Sequence, residues 1–357
     1  MKKKRLSGIS LFSSCGIGET YFRDVGIDIL VANELVEKRA SLYKSIYPEA
    51  TVVCGDISDD NVFNEIILAC PEKVDFLLAS PPCQGMSVAG KNRCQKSMEK
   101  DERNYLFTYV VKAIKNTNPD FVLIENVPML FKIELYYKDR YRTVLEILEL
   151  EFSEDYSIDS KVVDSSDYGV PQTRLRAIIK LNRKGTIWEW PEKKQKKISV
   201  EEAIGALPTL EAGEKSRIKW HFARPHSEDN VLWMKHTPTG KTAFSNDVFY
   251  PKKNDGTRVK GYESCYRRIR WDTPAPTITI RNDCIASQRN VHPGRLLSDG
   301  TYSDARVLSP LELMLLNSLP YNWNIPDETP ELLIRQCIGE SIPPLMLKEI
   351  VGGITNG

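Results

Sequence analysis

Short apolar runs recur through the first half of the chain, and each is closed by glycine, proline or a polar residue. Runs at 8–12, 27–32, 51–54, 74–78 and 121–124 have strand length. Helical patterns occupy 104–114 and 141–150, and 158–163 and 174–181 read as the last strands of the same layer. Strands alternating with helices predict a Rossmann-like α/β fold built on a parallel sheet. Around the last strand Gln172, Arg174 and Arg176 fall at period two, which places them on one strand face. From residue 182 the helical periodicity fades and proline, tryptophan, lysine and glycine cluster. A smaller, irregular β-rich domain is expected there. An amphipathic helix follows at 308–316, entered through Ser309-Pro310, with a final helix at 345–351. The expected domains are 1–183, completed by 321–357, and 184–320.

Chemistry-bearing residues stand at the strand ends, where open α/β sheets bind ligands. The first strand runs into Ser13-Ser14-Cys15-Gly16-Ile17-Gly18-Glu19-Thr20, whose glycines let a ligand approach the backbone. The second ends at Asn33-Glu34, about 20 residues on, where a carboxylate suits ribose hydroxyls. The third ends at Gly55-Asp56-Ile57. The fourth ends in Ala79-Ser80-Pro81-Pro82-Cys83-Gln84-Gly85, where two prolines end the ladder and present a thiol on a stiff loop. A lone cysteine is more often a small buried hydrophobe than a nucleophile, so Cys83 draws its meaning from its neighbours. A polar stretch at 88–103 reads as an active-site loop, and the fifth strand ends at Glu125-Asn126-Val127. A carboxylate leaving a buried strand is partly desolvated, which favours acid work.

Composition narrows the class. With 357 residues, 41% hydrophobic and 27% charged, the chain is that of an ordinary folded protein. No apolar run approaches membrane-spanning length, and the basic start lacks the apolar segment of a signal peptide. Eight cysteines without a C-x-x-C pair argue against a zinc site or a disulfide framework, and the cytoplasm is the expected compartment. Charge changes the picture most. Residues 161–300 hold 26 Lys+Arg against 16 Asp+Glu, a balance of +10 within a chain of net +1, so the remainder carries −9. One region is basic enough to meet a polyanion; a solvated lysine-rich surface is the bland alternative.

The ordered motifs resemble the cytosine-C5 DNA methyltransferases of bacterial restriction-modification systems. They are a Leu-Phe-Ser turn, Asn-Glu, Gly-Asp-Ile, Pro-Pro-Cys-Gln-Gly, Glu-Asn-Val, Gln-x-Arg-x-Arg, Arg-Trp-Asp-x-Pro-Ala-Pro-Thr-Ile and a late Gly-x-Ser turn, and they span residues 11 to about 345. The resemblance implies that Cys83 adds to C6 of a flipped-out cytosine, that Glu125 serves N3, and that Arg176, supported by Arg174, contacts O2. It implies S-adenosyl-L-methionine as cofactor, S-adenosyl-L-homocysteine as product and no metal. Cofactor contacts then fall on Phe12, Gly16, Glu34, Asp56, Ile57, Pro81, Leu106 and Ser341. Leu106 closes the motif-like segment Asp101-Glu102-Arg103-Asn104-Tyr105-Leu106. The implied substrate is double-stranded DNA, bound by a monomer, with a separately acting cognate endonuclease and no membrane.

Two positions depart from the family pattern. Ser14 stands where the first motif has glycine, and Glu340 replaces an asparagine of the late turn. If position 14 requires positive φ, serine there costs strain. A carboxylate at 340 would repel the cofactor's own carboxylate unless it points elsewhere. The rival readings are a tRNA cytosine-C5 methyltransferase, a catalytically silent DNA-binding module on the same fold, and a dinucleotide-dependent oxidoreductase. The missing third glycine of the dinucleotide fingerprint disfavours the last.

Overall fold

Five of the apolar runs become parallel strands whose carboxyl ends all lie along one edge. The computed structural model describes residues 5–82 and 105–355. Its strands are β1 (Leu6–Leu11), β2 (Ile27–Glu34), β3 (Thr51–Cys54), β4 (Phe76–Ala79), β5 (Phe121–Asn126), β6 (Glu134–Tyr137), β7 (Arg140–Thr143), β8 (Tyr156–Asp164) and β9 (Leu175–Arg183). One sheet has the order β3-β2-β1-β4-β5-β9-β8. The first five of these are mutually parallel, and β9 pairs antiparallel with both β5 and β8. Strand order reverses between β1 and β4, the switch point where such sheets open a crevice.

The chain divides into two compact units. Unit 1 comprises Met1–Asp164, Leu175–Glu192 and Leu347–Gly357; unit 2 comprises Ser165–Arg174 and Lys193–Met346. Unit 1 covers both faces of its sheet. On one, Ile9, Leu11, Leu77, Val122 and Ile179 pack with α3 (Phe107–Thr117) and α4 (Val144–Phe152), which follow α1 (Glu37–Ile46) and α2 (Asp60–Ala69) in the chain. On the other, Phe22, Phe76, Phe121 and Trp188 meet edge to face with ring centroids 5.6–6.2 Å apart. Trp188 Nε1 donates to the Ile350 carbonyl at 2.8 Å, and β10 (Ile187–Trp188) pairs with β11 (Ile354–Thr355).

Two local expectations change. A helix was expected from residue 141, but β6 and β7 form a hairpin first, closed at Lys138 (φ 61°) and carrying the cross-strand pair Tyr136–Tyr141 at 5.5 Å. The helix starts at Val144 because Thr143 and Glu146 make a reciprocal capping box. The shared strand face of Gln172, Arg174 and Arg176 is also corrected. β9 begins at Leu175, so Gln172 and Arg174 precede the strand and belong to unit 2.

Unit 2 contains α5 (Val200–Ile204), α6 (Glu228–Lys235), α7 (Pro310–Leu316) and α8 (Glu331–Glu340), and α9 (Pro344–Gly352) begins in it. Its β pairing, among the described residues, consists of isolated bridges such as Thr242–Arg267 and Lys252–Arg258. A small apolar core of Trp233, Met234, Ile285, Val291 and Val307 sits beside three fully buried arginines, Arg268, Arg306 and Arg335. Each guanidinium donates to backbone carbonyls: Arg268 to Met234 and His292, Arg306 to Leu210 and Val307, Arg335 to Asn282 and Leu308.

Candidate active site

The crevice edge is assembled from loops that leave β1, β2, β3, β4 and β5. After β1 the backbone turns through Phe12 (φ 59°), Ser14 (φ 50°) and Gly16 (φ 77°). A Cβ at Gly16 would collide with the rings of Tyr43 and Tyr47, so glycine is required by space as well as by φ. Ser14 keeps the left-handed conformation at a cost of about 1 kcal/mol. Its N–H donates to Glu34 Oε2 at 2.9 Å, while Glu34 Oε1 accepts the Val36 N–H at 2.9 Å. Ser14 Oγ is buried with no hydrogen-bond partner among the described residues. Glu34 is therefore a buried carboxylate that holds the turn in shape.

Asn33 Nδ2 ties the ends of β2 and β3 by donating to the carbonyls of Val53 and Gly55, each at 3.1 Å. Asp56 is exposed, and its Oδ1 accepts from the Ser58 N–H and hydroxyl at 2.9 and 2.7 Å. Ile57 is buried in the main core. Next to Glu34 in the chain, Leu35 is 62% exposed and Val36 39%, an open apolar surface at a strand end. Leu106 is the N-cap of α3 and packs on the same core as Phe12.

At β4 the Ser80 hydroxyl donates to the Phe12 carbonyl at 3.2 Å, joining the two loops of the switch point. Cys83, the loop at 88–103 and residues 101–104 of the motif-like segment lie outside the described residues. The root of the Pro-Pro-Cys loop is described: Asn126 Nδ2 donates to the Pro81 carbonyl at 2.9 Å, and Asn126 Oδ1 accepts the Val127 N–H at 2.8 Å. Sequence reasoning quoted Asn126 within Glu-Asn-Val without giving it a role; its place beside the carboxylate at a strand end was the available signal.

Glu125 and Arg176 meet. Arg176 Nε lies 2.7 Å from Glu125 Oε1, with side chains only 11% and 8% exposed, and Arg176 also donates to the Leu175 carbonyl at 2.7 Å. The antiparallel pairing of β5 and β9 makes this possible, because the end of one and the start of the other share an edge. Arg174 is placed differently. It is 2% exposed, and its guanidinium donates to the carbonyls of Ile278, Gly339 and Glu340 at 2.8–3.1 Å within unit 2. Ser341, also in unit 2, accepts from Asn317 and donates to the Ile338 carbonyl, each at 2.9 Å; Asn317 Oδ1 in turn accepts from Gln172 at 3.1 Å.

A further buried carboxylate went unassigned in the sequence reading. Glu19 accepts from Ser10 at 2.5 Å and from the Tyr43 hydroxyl, beneath the β1 turn. Burial pushes its pKa up to about 7, against the lowering effect of those two donors.

Comparison with known proteins places this architecture. The C-5 cytosine-specific DNA methylase family matches residues 6–356. The Type II methyltransferase M1.HgaI of Avibacterium volantium is 60% identical over 355 residues, 99% of each chain. The Type II methyltransferase M1.HphI of Haemophilus parahaemolyticus is 30% identical over 98% of this chain and 86% of its own. Among solved structures, a prophage-encoded E. coli protein described as a DNA modification methyltransferase has a TM-score of 0.71 at 20% identity, with 98% of each chain covered. The Dnmt2 methyltransferase of S. pombe has a TM-score of 0.62 at 13% identity, with 97% of each chain covered. At such identities these two speak for the fold alone, while the family match and the relatives speak for the chemistry. The chain belongs to the C-5 cytosine-specific DNA methylases and is a DNA (cytosine-5)-methyltransferase.

Proposed function

We propose that this enzyme modifies one cytosine within a specific sequence of double-stranded DNA, and that it does so with Cys83, Glu125 and Arg176. Carbon 5 of cytosine is a poor nucleophile. Addition of the Cys83 thiolate at C6 breaks the C5–C6 double bond and moves its electrons toward C5, N3 and O2. Glu125 in its protonated form donates to N3 and Arg176 holds O2, so the charge is met where it develops. S-adenosyl-L-methionine, when bound, supplies an electrophilic methyl group. Loss of the C5 proton to water then re-forms the double bond and expels the Cys83 thiolate, and the N3 proton returns to Glu125. The observation that carries the reading is the Arg176–Glu125 ion pair, 2.7 Å long and nearly dry, at the strand edge that the Pro-Pro-Cys loop leaves.

Glu34 would hold the cofactor's ribose, with Phe12 of the β1 turn, Asp56 and Ile57 at its adenine side and Gly16 in the turn beside it. Pro81, Leu106 and Ser341 would complete its surroundings. Arg174 supports the site from a distance, by clamping backbone. A target base inside a duplex is beyond the reach of a thiol, so it has to be flipped out. Unit 2, which carries most of the basic excess, would grip phosphates and read the sequence. The similarity to proteins named Type II methyltransferases supports a restriction-modification system as the natural setting, in which a monomer acts in the cytoplasm beside a separate endonuclease.

Bisulfite sequencing of DNA from cells expressing the chain tests activity, modified base and recognised sequence together. Cys83→Ser should abolish the signal while duplex binding persists, because an alcohol is a far weaker nucleophile than a thiolate. Turnover by that variant, or labelling of tRNA alone, would overturn the reading.

A further inference from the structure

Residues 250–262 of unit 2 form a ribbon. Lys252 and Arg258 make an antiparallel bridge, Lys253 N–H donates to the Thr257 carbonyl at 2.8 Å, and Val259 N–H donates to the Pro251 carbonyl at 2.9 Å. Asp255 holds the tip, accepting the Thr257 N–H at 2.9 Å and its hydroxyl at 2.6 Å. The root is stiff. Arg258 stacks 3.5 Å from the Tyr250 ring centroid and donates to the carbonyls of Phe244 and Asn246 at 2.7 and 3.0 Å. Gly261 lies against the Phe244 ring, where a Cβ would come within 2.7 Å, and that ring packs edge to face on Tyr266.

Rigidity at the root contrasts with the tip. Lys252, Lys253, Asn254 and Lys260 are exposed, and none of their side chains makes a hydrogen bond or ion pair among the described residues. Asp255 is held within the ribbon and Arg258 at its root, so these four side chains are exposed to meet a partner. Three cations and one amide on a stiff two-stranded ribbon match one kind of surface. A ribbon is about 5 Å between backbones, and the B-DNA major groove is about 12 Å wide, enough to admit it with side chains. Asparagine presents the paired donor and acceptor that adenine's edge requires, and lysine serves guanine O6 and N7.

We propose that the 250–262 ribbon enters the major groove of the substrate duplex, that Lys253 and Asn254 at its tip determine the recognised sequence, and that Lys252 and Lys260 hold phosphates. This rests on the reading of the enzyme as one acting on duplex DNA, which the wild-type chain tests separately in the same experiment. The measurement is kcat/KM, with competitive binding, on duplexes carrying the wild-type sequence and every single base-pair substitution of it. Asn254→Ala and Lys253→Ala should each lower discrimination at one position by about ten- to a hundredfold, leaving the others unchanged. The pair Lys252→Ala and Lys260→Ala should weaken binding to all duplexes alike and reduce the slope of log affinity against log salt by about 2. A tip variant that ranks the duplexes as the wild type does, in turnover or in binding, overturns the assignment. So does an unchanged salt slope in the lysine pair. If the wild type modifies no duplex, the parent reading fails instead.

Discussion

The two units solve the same problem, how to satisfy buried backbone, by opposite means. In unit 1 the ladder pairs N–H with C=O along seven strands, leaving the interior to apolar side chains such as Leu77, Val122 and Ile124. Unit 2 has only isolated bridges among its described residues, and its buried carbonyls are collected by Arg174, Arg268, Arg306 and Arg335. A guanidinium offers five donors in a fixed fork, which suits carbonyls that converge from loops of unrelated direction. The charge that comes with the fork must then be matched. Arg306 is paired with Asp304 and Glu312 at 2.7–2.9 Å, and although burial alone would raise Glu312, Arg306 and the Ser309 N–H hold it well below the usual carboxylate range. Arg268 is surrounded by carbonyls, and burial brings it down to about 10, still charged at neutral pH. Irregular backbone is thus held by guanidinium donors, and regular backbone by its own ladder.

The sharpest way to break this comparison is Arg306→Met. It leaves Asp304 and Glu312 buried without their counter-ion, and about 3–5 kcal/mol of unit 2 stability should go. Hydrogen exchange checks it: unit 2 amides should lose protection while those of β1, β4 and β5 keep theirs. Equal loss in both units would show that the division carries no energetic meaning. Leu77→Ala is the matching test in unit 1, where a cavity in the sheet core should cost about 3 kcal/mol and the loss of protection should centre on β4 and its neighbours.

Glu19, like Glu34, Asp75 and Glu125, is a buried carboxyl inside unit 1. Its folded-state pKa of about 7 lies above the ordinary carboxylate value. Between pH 4.5 and 7 the folded chain therefore binds the extra proton, and the stability contributed is present below that window and lost as pH rises through it. Glu19→Gln should remove this slope, becoming more stable than the wild type by about 2–3 kcal/mol at pH 8 and converging with it near pH 4.5. Urea midpoints of both proteins at the two pH values measure the difference; parallel curves would show that the carboxyl is ionised throughout. The smallest effect belongs to Asn126→Ala, which frees the Pro81 carbonyl. Stability should fall by about 1 kcal/mol, while kcat drops and the KM for DNA changes little.

Unit 1 was legible in the sequence because a buried parallel strand is an apolar run with a polar end, and those ends line the candidate site. Its edge residues Phe12, Glu34, Asp56 and Glu125 stand at strand ends for that reason. Arg174 was not legible. Gln172, Arg174 and Arg176 have the spacing of a strand, but the chain joins the sheet only at Leu175, and carbonyls about 100 to 170 residues away decide what Arg174 does. Nor did composition disclose Arg268, Arg306 or Arg335, since arginine reads as surface unless its partners are known. The hairpin before α4 could have been found: Thr143-x-x-Glu146 is a capping box, and it places the helix start after residue 141 rather than at it.

The last stretch of unit 1 returns from beyond unit 2, with Ile350 accepting from Trp188 and β11 pairing with β10. Translation therefore delivers every residue of unit 2 before the ribosome releases the segment that finishes the aromatic face of the sheet. A nascent chain halted before residue 347 holds Trp188 without its carbonyl and β10 without its partner. Completion of unit 1 waits until synthesis has passed through all of unit 2.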